Sequence, residues 1–580
     1  MRGVQELHFQ AGDGAQLFYR HWPAVAQTHR AIVLLHRGHE HSGRIMHLVN
    51  ELDLPEYAMF AWDARGHGLS HGIGEGNPSF ATFVNDLDHF VRHISRVHGI
   101  PVENIALIAQ SVGAVIAATW VHDYAPKIRC LILATPAFQV KLYVPLARTF
   151  LQLAGYFSKN LHVNSYVRGS ALTHDPERVA SYGTDPLIRR PISVRVLLGL
   201  YSTASRIIDD AGAIQTPTQI LISGKDWVVH QAPQHRFFER LGSPVKERHV
   251  FEGFYHDTLG EKDRHLPIAK VREFVLRMFA KPPVKPRLLD ADQGGFTRTE
   301  FDRLREPLSR LSPKGAWFAM SRFGLRTGGR LSEGIRLGLK TGFDSGSTLD
   351  YVYRNRAAGL TPIGKTIDWS YVNSIGWRGI RVRRLNIERL LGDAMDLLRR
   401  EGCPVRVLDI AAGHGRYVLE AIEKKKFQPD SVLLRDYSPI NVEAGQRMIR
   451  EKKMEGFAQF IGGDAFDRAS LATVTPRPTL GVVSGLYELF PENAMVRESL
   501  AGLADAIGPG GYLIYTGQPW HPQLEMIARV LPSHRDFKPW VMRRRTQGEM
   551  DQLVEAAGFR KIDQAIDDWG IFTVSLAERI

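Results

Sequence analysis

The chain has 580 residues, a 44% hydrophobic share and a formal net charge of +13. That size and apolar content predict two to four globular domains, each able to bury a core, and exclude a disordered or fibrous chain. No apolar run approaches the length of a bilayer span, and the opening MRGVQELHFQAGDG lacks the basic-then-apolar plan of a secretory leader.

Taken in chain order, AIVLLH (31–36), MFAWD (59–63), NIALIA (104–109) and RCLILAT (129–135) read as short, aliphatic strands. Helix-period runs such as FATFVNDLDHFVRHISRVHG fill the gaps. This alternation predicts a parallel sheet covered by helices. From about 138 to 208 the pattern turns helical and polar-aromatic, with no strand expected, and TPTQILISGKD and VKERHVFEG then resume the sheet. Residues 281–292, KPPVKPRLLDAD, read as a linker. A helix-period segment over 383–400 leads into seven further strand candidates: VRVLDIA, SVLLRD, FAQFIGGD, LGVVSG, YLIYTG, KIDQAI and GIFTVSLA. The boundaries predicted are 1–280, a linker and basic connector over 281–400, and 401–580. Cys130 and Cys403 sit in or beside strand-like runs, which fits buried thiols in a reducing cytoplasm, and no metal site is expected.

Two turns carry chemistry. In the first, Ile108-Ala109-Gln110-Ser111-Val112-Gly113, a strand runs into a sharp turn bearing a serine. A serine hydroxyl becomes a nucleophile only when a histidine takes its proton and a carboxylate orients that histidine. Asp226 follows one later strand and His256 the last, in the chain order serine, acid, histidine. His249 falls inside a strand and His265 lies a turn or more further on, so His256 is preferred. An oxyanion needs two backbone N–H donors. Val112 follows the nucleophile, and the second donor is expected from the loop Leu35–Arg44.

The second turn is Val407-Leu408-Asp409-Ile410-Ala411-Ala412-Gly413-His414-Gly415. Glycines after a first strand let a nucleotide-like ligand approach the backbone, and a carboxylate about twenty residues on suits ribose hydroxyls. Gly413 and Gly415 supply the first, with Ala411 in place of a first glycine, and Asp436 the second. Asp464 ends the third strand, where it can meet an adenine amino group. An acidic residue at Asp409 before the glycines separates this pattern from a nicotinamide-binding turn. Beyond the fourth and fifth strands, Tyr487, Glu488 and His521 are candidates to accept a proton or orient a methyl acceptor, with simple packing as the alternative.

HxGxEHSGR, FAWDARGHGLS, the serine elbow and LTHDPERVASYGTDPLI together resemble the monoglyceride lipase and lysophospholipase branch of the α/β-hydrolases over about residues 5–280. The resemblance implies esters of single-chain lipids or similar carboxylic esters as substrates. It makes Gly38 the second oxyanion donor, and Asp226 and His256 the acid and base. Arg37 departs from the family's glycine, and its cation is expected to meet an anionic head group or to perturb the oxyanion loop. Residues 400–580 resemble class I methyltransferases, which use S-adenosylmethionine. The whole is similar to a bacterial fusion of the two folds. The fold expected is therefore α/β throughout: an α/β-hydrolase with a helical cap, a helical connector, and a Rossmann-like methyltransferase.

Most of the excess charge lies in the connector, where residues 281–400 hold 23 Lys and Arg against 12 Asp and Glu. Within 331–342, Leu331, Ile335 and Leu339 share one helical face and Arg336 and Lys340 the other, with Trp317, Phe318 and Phe323 just before. This fits a helix lying on anionic lipid over 315–345, and it also fits a helix packed between domains. Nucleic acid is not expected, because no binding module accompanies the charge. Three readings stand: a cytoplasmic bifunctional enzyme acting at the inner membrane face, one live enzyme beside a regulatory domain, or a charge-tethered interaction protein with vestigial sites.

Overall fold

A computed structural model describes residues 2–580 except 71–77, 145, 159, 283, 285, 310 and 427. The chain folds as two compact units, 1–286 and 287–580.

The first unit is built on an eight-stranded sheet. Its strands are β1 (Gln5–Gln10), β2 (Gln16–Trp22), β3 (Ala31–Leu35), β4 (Ala58–Trp62), β5 (Ile105–Gln110) and β6 (Cys130–Ala134), then β9 (Thr218–Ser223) and β10 (Lys246–Phe251). The order is β1-β2-β4-β3-β5-β6-β9-β10. β2 runs antiparallel to β4, and every pair from β4 to β10 is parallel. With the second strand reversed, this is the α/β-hydrolase arrangement. β3 to β6 are buried along their whole length, as expected of parallel strands covered on both faces. The helix Phe80–His98 starts with a Ser79–Thr82 capping box and stops at Gly99, whose φ is +66°. It buries Phe83, Leu87, Phe90 and Ile94 on one stripe, each worth about 1.5–3 kcal/mol of apolar transfer.

The sequence pattern overlooked β1 and β2, although QLFYRHW is strand-like. It also overlooked a short antiparallel ribbon inside the cap, β7 (His162–Asn164) with β8 (Pro191–Ser193). Both ribbon strands are three residues long, too short for a period to register.

The second unit holds a seven-stranded sheet of β11 (Arg406–Asp409), β12 (Ser431–Asp436), β13 (Ala458–Gly462), β14 (Leu480–Val483), β15 (Tyr512–Gly517), β16 (Phe559–Ile566) and β17 (Thr573–Arg579). The order is β13-β12-β11-β14-β15-β17-β16, with only β17 reversed against its two neighbours. The direction of strand progression switches between β11 and β14, which opens the crevice where such sheets bind ligands.

Residues 287–400 fold into this second unit and not as a separate connector. The helix Ile375–Arg400 places Ile387, Leu390, Leu391, Ala394 and Leu398 in one core with Val407, Val432 and Ile514. The helix Glu333–Thr341 turns its apolar face inward: Ile335 is buried and Leu339 packs against the same core. A Cβ at Gly338 would stand 2.6 Å from the Phe343 ring, so glycine allows that close approach. Of the two readings of this apolar stripe, packing within the fold is the one these contacts support. Among the described residues, no helix is long and apolar enough to cross a membrane.

Candidate active sites

In the first unit, Ser111 sits between β5 and the helix Val112–Tyr124 with φ +56° and ψ −116°, a strained conformation that only an over-determined turn sustains. Gly113 is required there, because a Cβ would meet the His36 carbonyl at 2.5 Å. Ser111 Oγ lies 2.8 Å from His256 Nε2, and His256 Nδ1 lies 2.8 Å from Asp226 Oδ2. Asp226 Oδ1 accepts from the N–H groups of Val228 and Val229. Burial pushes the Asp226 carboxyl up, but His256 and these hydrogen bonds outweigh it and hold the carboxyl below its ordinary value. The carboxylate thus stays ionised and fixes the imidazole with Nε2 toward the serine. Val112 opens its helix, where N–H groups lack an intrahelical acceptor. Gly38 lies beside Val112, since a Cβ there would stand 3.2 Å from the Val112 side chain, which brings the two candidate oxyanion residues together.

Arg37 is largely engaged within the fold, although its Nη1 has no partner and it lines the cavity beside Ser111. It is buried, donates Nε and Nη2 to both oxygens of Glu40 at 2.7 Å, and lies 3.5 Å from Asp257. Asp257 also accepts from Gln110 Nε2 at 2.8 Å and from Arg178 Nε and Nη2. Burial alone would raise the Asp257 carboxyl, but the guanidinium charges of Arg37 and Arg178 hold it far below the ordinary range. This brace joins the oxyanion loop, the elbow, the cap helix Pro176–Thr184 and the residue after His256. The sequence offered no signal for it, since the partners are dispersed along the chain.

Beside Ser111 and His256 lies a cavity of about 600 Å³, walled by side chains such as Leu142, Phe150, Leu172, Leu197, Tyr201 and Val228. It falls in the size range of small-molecule sites and its walls are apolar.

In the second unit the glycine turn follows β11. Gly413 and Gly415 take φ +57° and +73°, and a Cβ on Gly415 would strike Leu434 at 2.5 Å. Asp436 Oδ2 accepts from Gly413 N, and Oδ1 from Ser438 N and Asn441 Nδ2, all at 2.9 Å. Oδ2 keeps lone-pair capacity for one further donor. Asp464, two residues past β13, is exposed. Ala411 N donates to Asp409 Oδ1 at 3.1 Å, and Tyr417 Oη to Oδ2 at 2.6 Å. A glycine turn at the switch-point strand, with carboxylates at the ends of the next two, fits an adenosyl ligand.

Asp409 is fully buried, and burial pushes its carboxyl up to about 7 against the pull of those two hydrogen bonds. Between the ordinary 3.8 and about 7 the folded chain keeps a proton that the unfolded chain has lost, so this group's contribution to stability falls as pH rises through that window. A cationic ligand favours the ionised form. Binding of S-adenosylmethionine should therefore strengthen as pH rises through 7, and Asp409→Asn should flatten the trend. Calorimetry at pH 6 and 8 checks this, and an identical trend in the variant would exclude Asp409 as its source.

The three acceptor candidates separate. Tyr487 is buried in the core and its hydroxyl donates to Ser499 Oγ at 3.0 Å, so it packs there. Glu488 and His521 instead line a cavity of about 420 Å³ together with Arg383, Gln518 and Trp540. Arg383 lay within a segment read only for helical period, and nothing in the sequence singled out Gln518.

Fold and sites define an α/β-hydrolase joined to a class I methyltransferase fold. Two family models match: "Serine aminopeptidase, S33" over residues 26–263 and "Putative methyltransferase" over 271–579. "Uncharacterized protein YnbC" of Escherichia coli is 54% identical over 99% of this chain and 98% of its own length. Monoacylglycerol lipase of Mycolicibacterium smegmatis is 24% identical over 47% of this chain and 96% of its own. Human monoglyceride lipase is 27% identical over 43% and 82%. The chain belongs to the "Putative methyltransferase" family, shares its full length with the Escherichia coli relative, and carries a monoglyceride lipase-like S33 hydrolase domain in its N-terminal half.

Proposed function

We propose that the chain is a bifunctional enzyme, a serine hydrolase of apolar carboxylic esters and an S-adenosylmethionine-dependent methyltransferase. The observation that carries the hydrolase half is the Ser111–His256–Asp226 chain of 2.8 Å contacts set against an apolar cavity. His256 Nε2 takes the proton from Ser111 Oγ as the hydroxyl attacks the ester carbonyl. Gly38 and Val112 donate N–H groups to the oxyanion, and His256 returns the proton to the leaving alcohol. The cavity suits a monoacylglycerol or lysophospholipid acyl chain, in keeping with the monoacylglycerol lipase relatives.

In the second unit S-adenosylmethionine, when bound, supplies an electrophilic methyl group. Asp436 Oδ2 would hold ribose, Asp464 adenine, and the backbone at 411–415 the amino-acid end, beside the buried Asp409 carboxylate. Fluorophosphonate labelling of Ser111 and calorimetry with S-adenosylmethionine on the intact chain test the two halves. Absence of either signal removes that half.

We further propose a cytoplasmic protein that meets the anionic inner face of the membrane through the helix Pro313–Arg326. Trp317, Met320 and Phe323 are each about two-thirds exposed on it, and Arg326 and Arg330 stand exposed beside them. Arg322 is not available, since it donates to the Arg529 carbonyl. Co-sedimentation should require anionic vesicles, weaken with salt as screening shortens to about 8 Å, and fall on combining Trp317→Ser, Phe323→Ser, Arg326→Ala and Arg330→Ala. Equal binding to neutral vesicles, or none to either kind, would rule it out.

A further inference from the structure

The 420 Å³ cavity in the second unit is where the methyl acceptor would sit, and its polar groups state what that acceptor must carry. It borders Gly485, just beyond the end of β14, whose neighbour β11 leads into the glycine turn. Neither the turn 409–415 nor Asp436 nor Asp464 lines it. Arg383 lies over the β14 end, so close that a Cβ on Gly485 would stand 3.0 Å from its Nη2.

Four buried polar atoms of this wall lack a partner: three are N–H donors, and the fourth is the Tyr371 hydroxyl, which can donate or accept. Arg383 Nε, Gln518 Nε2 and Trp540 Nε1 are buried without a partner. His521 Nδ1 accepts from Gln523 N at 3.0 Å. Burial pushes the His521 ring down to about 4, so it is neutral and carries its proton on Nε2, against Gly376, another wall residue. In that tautomer neither ring nitrogen is open to take a proton. Of the two carboxylates of the wall, Glu488 is ion-paired and Asp344 is hydrogen-bonded. Glu488 lies 3.6 Å from Arg383 Nη1 and leaves the Nε position without a partner. Asp344 accepts from Ser533 Oγ and His534 N at 2.6 Å and from His534 Nδ1 at 3.0 Å. The rest of the wall is largely apolar, with Trp377, Ile380, Leu349 and Phe572 among it.

Buried donors without acceptors cost free energy that an acceptor-bearing ligand recovers, and a guanidinium flanked by N–H donors matches a carboxylate best. We propose that the methyl acceptor is an apolar carboxylate and that the product is its methyl ester. This rests on the methyltransferase reading above. A carboxylate oxygen attacks the donor's methyl carbon. The O–CH₃ bond forms as the S–CH₃ bond breaks, sulfur keeps the electron pair and becomes a neutral thioether, and the carboxylate charge is lost. No proton moves, consistent with a wall whose histidine cannot serve as a base. An alcohol would need a base, for which this wall offers only Glu488, ion-paired with Arg383, and an ammonium would face the Arg383 guanidinium.

The test uses the full-length protein with decanoate and 4-phenylbutanoate beside decanol and decylamine. Calorimetry should show both carboxylates binding in the presence of S-adenosylhomocysteine. Arg383→Gln should weaken that binding at least tenfold, and Trp540→Phe, which removes one N–H and little volume, several-fold. Both variants should keep donor affinity, which also reports that they fold. Mass spectrometry should find methyl decanoate after incubation with S-adenosylmethionine. Donor binding with methylation of decanol or decylamine instead, or carboxylate binding indifferent to both variants, would overturn the proposal and leave the methyltransferase reading intact. Failure of the intact chain to bind the donor would remove that reading itself.

Discussion

Replacing Ser111 by alanine should lower turnover of a short-chain p-nitrophenyl ester by about 10⁴ or more, while leaving affinity for S-adenosylmethionine unchanged. The triad acts as one unit, so loss of its nucleophile removes the covalent route and leaves only the assistance of the oxyanion donors. The 2.8 Å contacts on either side of His256 show the unit assembled. His256→Ala should cost a similar factor for the same reason. The measurement is kcat on purified variants, with calorimetric donor affinity as a control on folding. Near-normal esterase activity in Ser111→Ala would mean that another nucleophile does the work and that the assignment of Ser111 is wrong.

Asp436→Ala should weaken S-adenosylmethionine binding by about 1.5–3 kcal/mol, the scale of lost charge-assisted hydrogen bonds. Two contributions are expected. One is the direct loss of the Oδ2 site open to a ligand hydroxyl. The other is release of the glycine turn, because the same oxygen fastens Gly413 N. Asp436→Asn retains one acceptor oxygen for the turn and should lose less. Esterase activity should not move in either variant. Wild-type affinity in Asp436→Ala, by calorimetry, would place the donor elsewhere.

How much could be read from the sequence follows from the range of each interaction. Strands buried on both faces announce themselves as aliphatic runs, so β3 to β6 and the whole second sheet were legible. The serine elbow and the glycine turn were legible because steric demands there fall on adjacent residues, as the Gly113 and Gly415 contacts show. The antiparallel β1 and β2 and the three-residue cap ribbon lacked a comparable run. Nothing local marked Arg383 or Trp540 as cavity residues, since they lie far apart in sequence and meet only in the fold. The basic connector stayed ambiguous in the sequence because an inward apolar stripe and a lipid-facing one have the same period; burial of Ile335 separates them for that stripe. For Tyr487, packing and acceptor binding were equally legible in the sequence, and its burial against Ser499 favours packing.

The Arg178–Asp257–Arg37–Glu40 brace sets a limit on engineering. An enlarged acyl site could be sought by excising the cap, 138–208. Such a deletion would remove the Arg178 donors from Asp257, a carboxylate buried next to His256. Asp257 would keep Arg37 and Gln110 but lose its nearest guanidinium, and breaking a buried ion pair from one side costs up to about 3–5 kcal/mol. A capless enzyme should therefore hold its oxyanion loop and the residue after its base less firmly, as well as losing its roof. Minimal hydrolases made from this scaffold need Asp257, Arg37 and Glu40 redesigned together, and natural variation in cap length is expected only where Arg178 keeps its place.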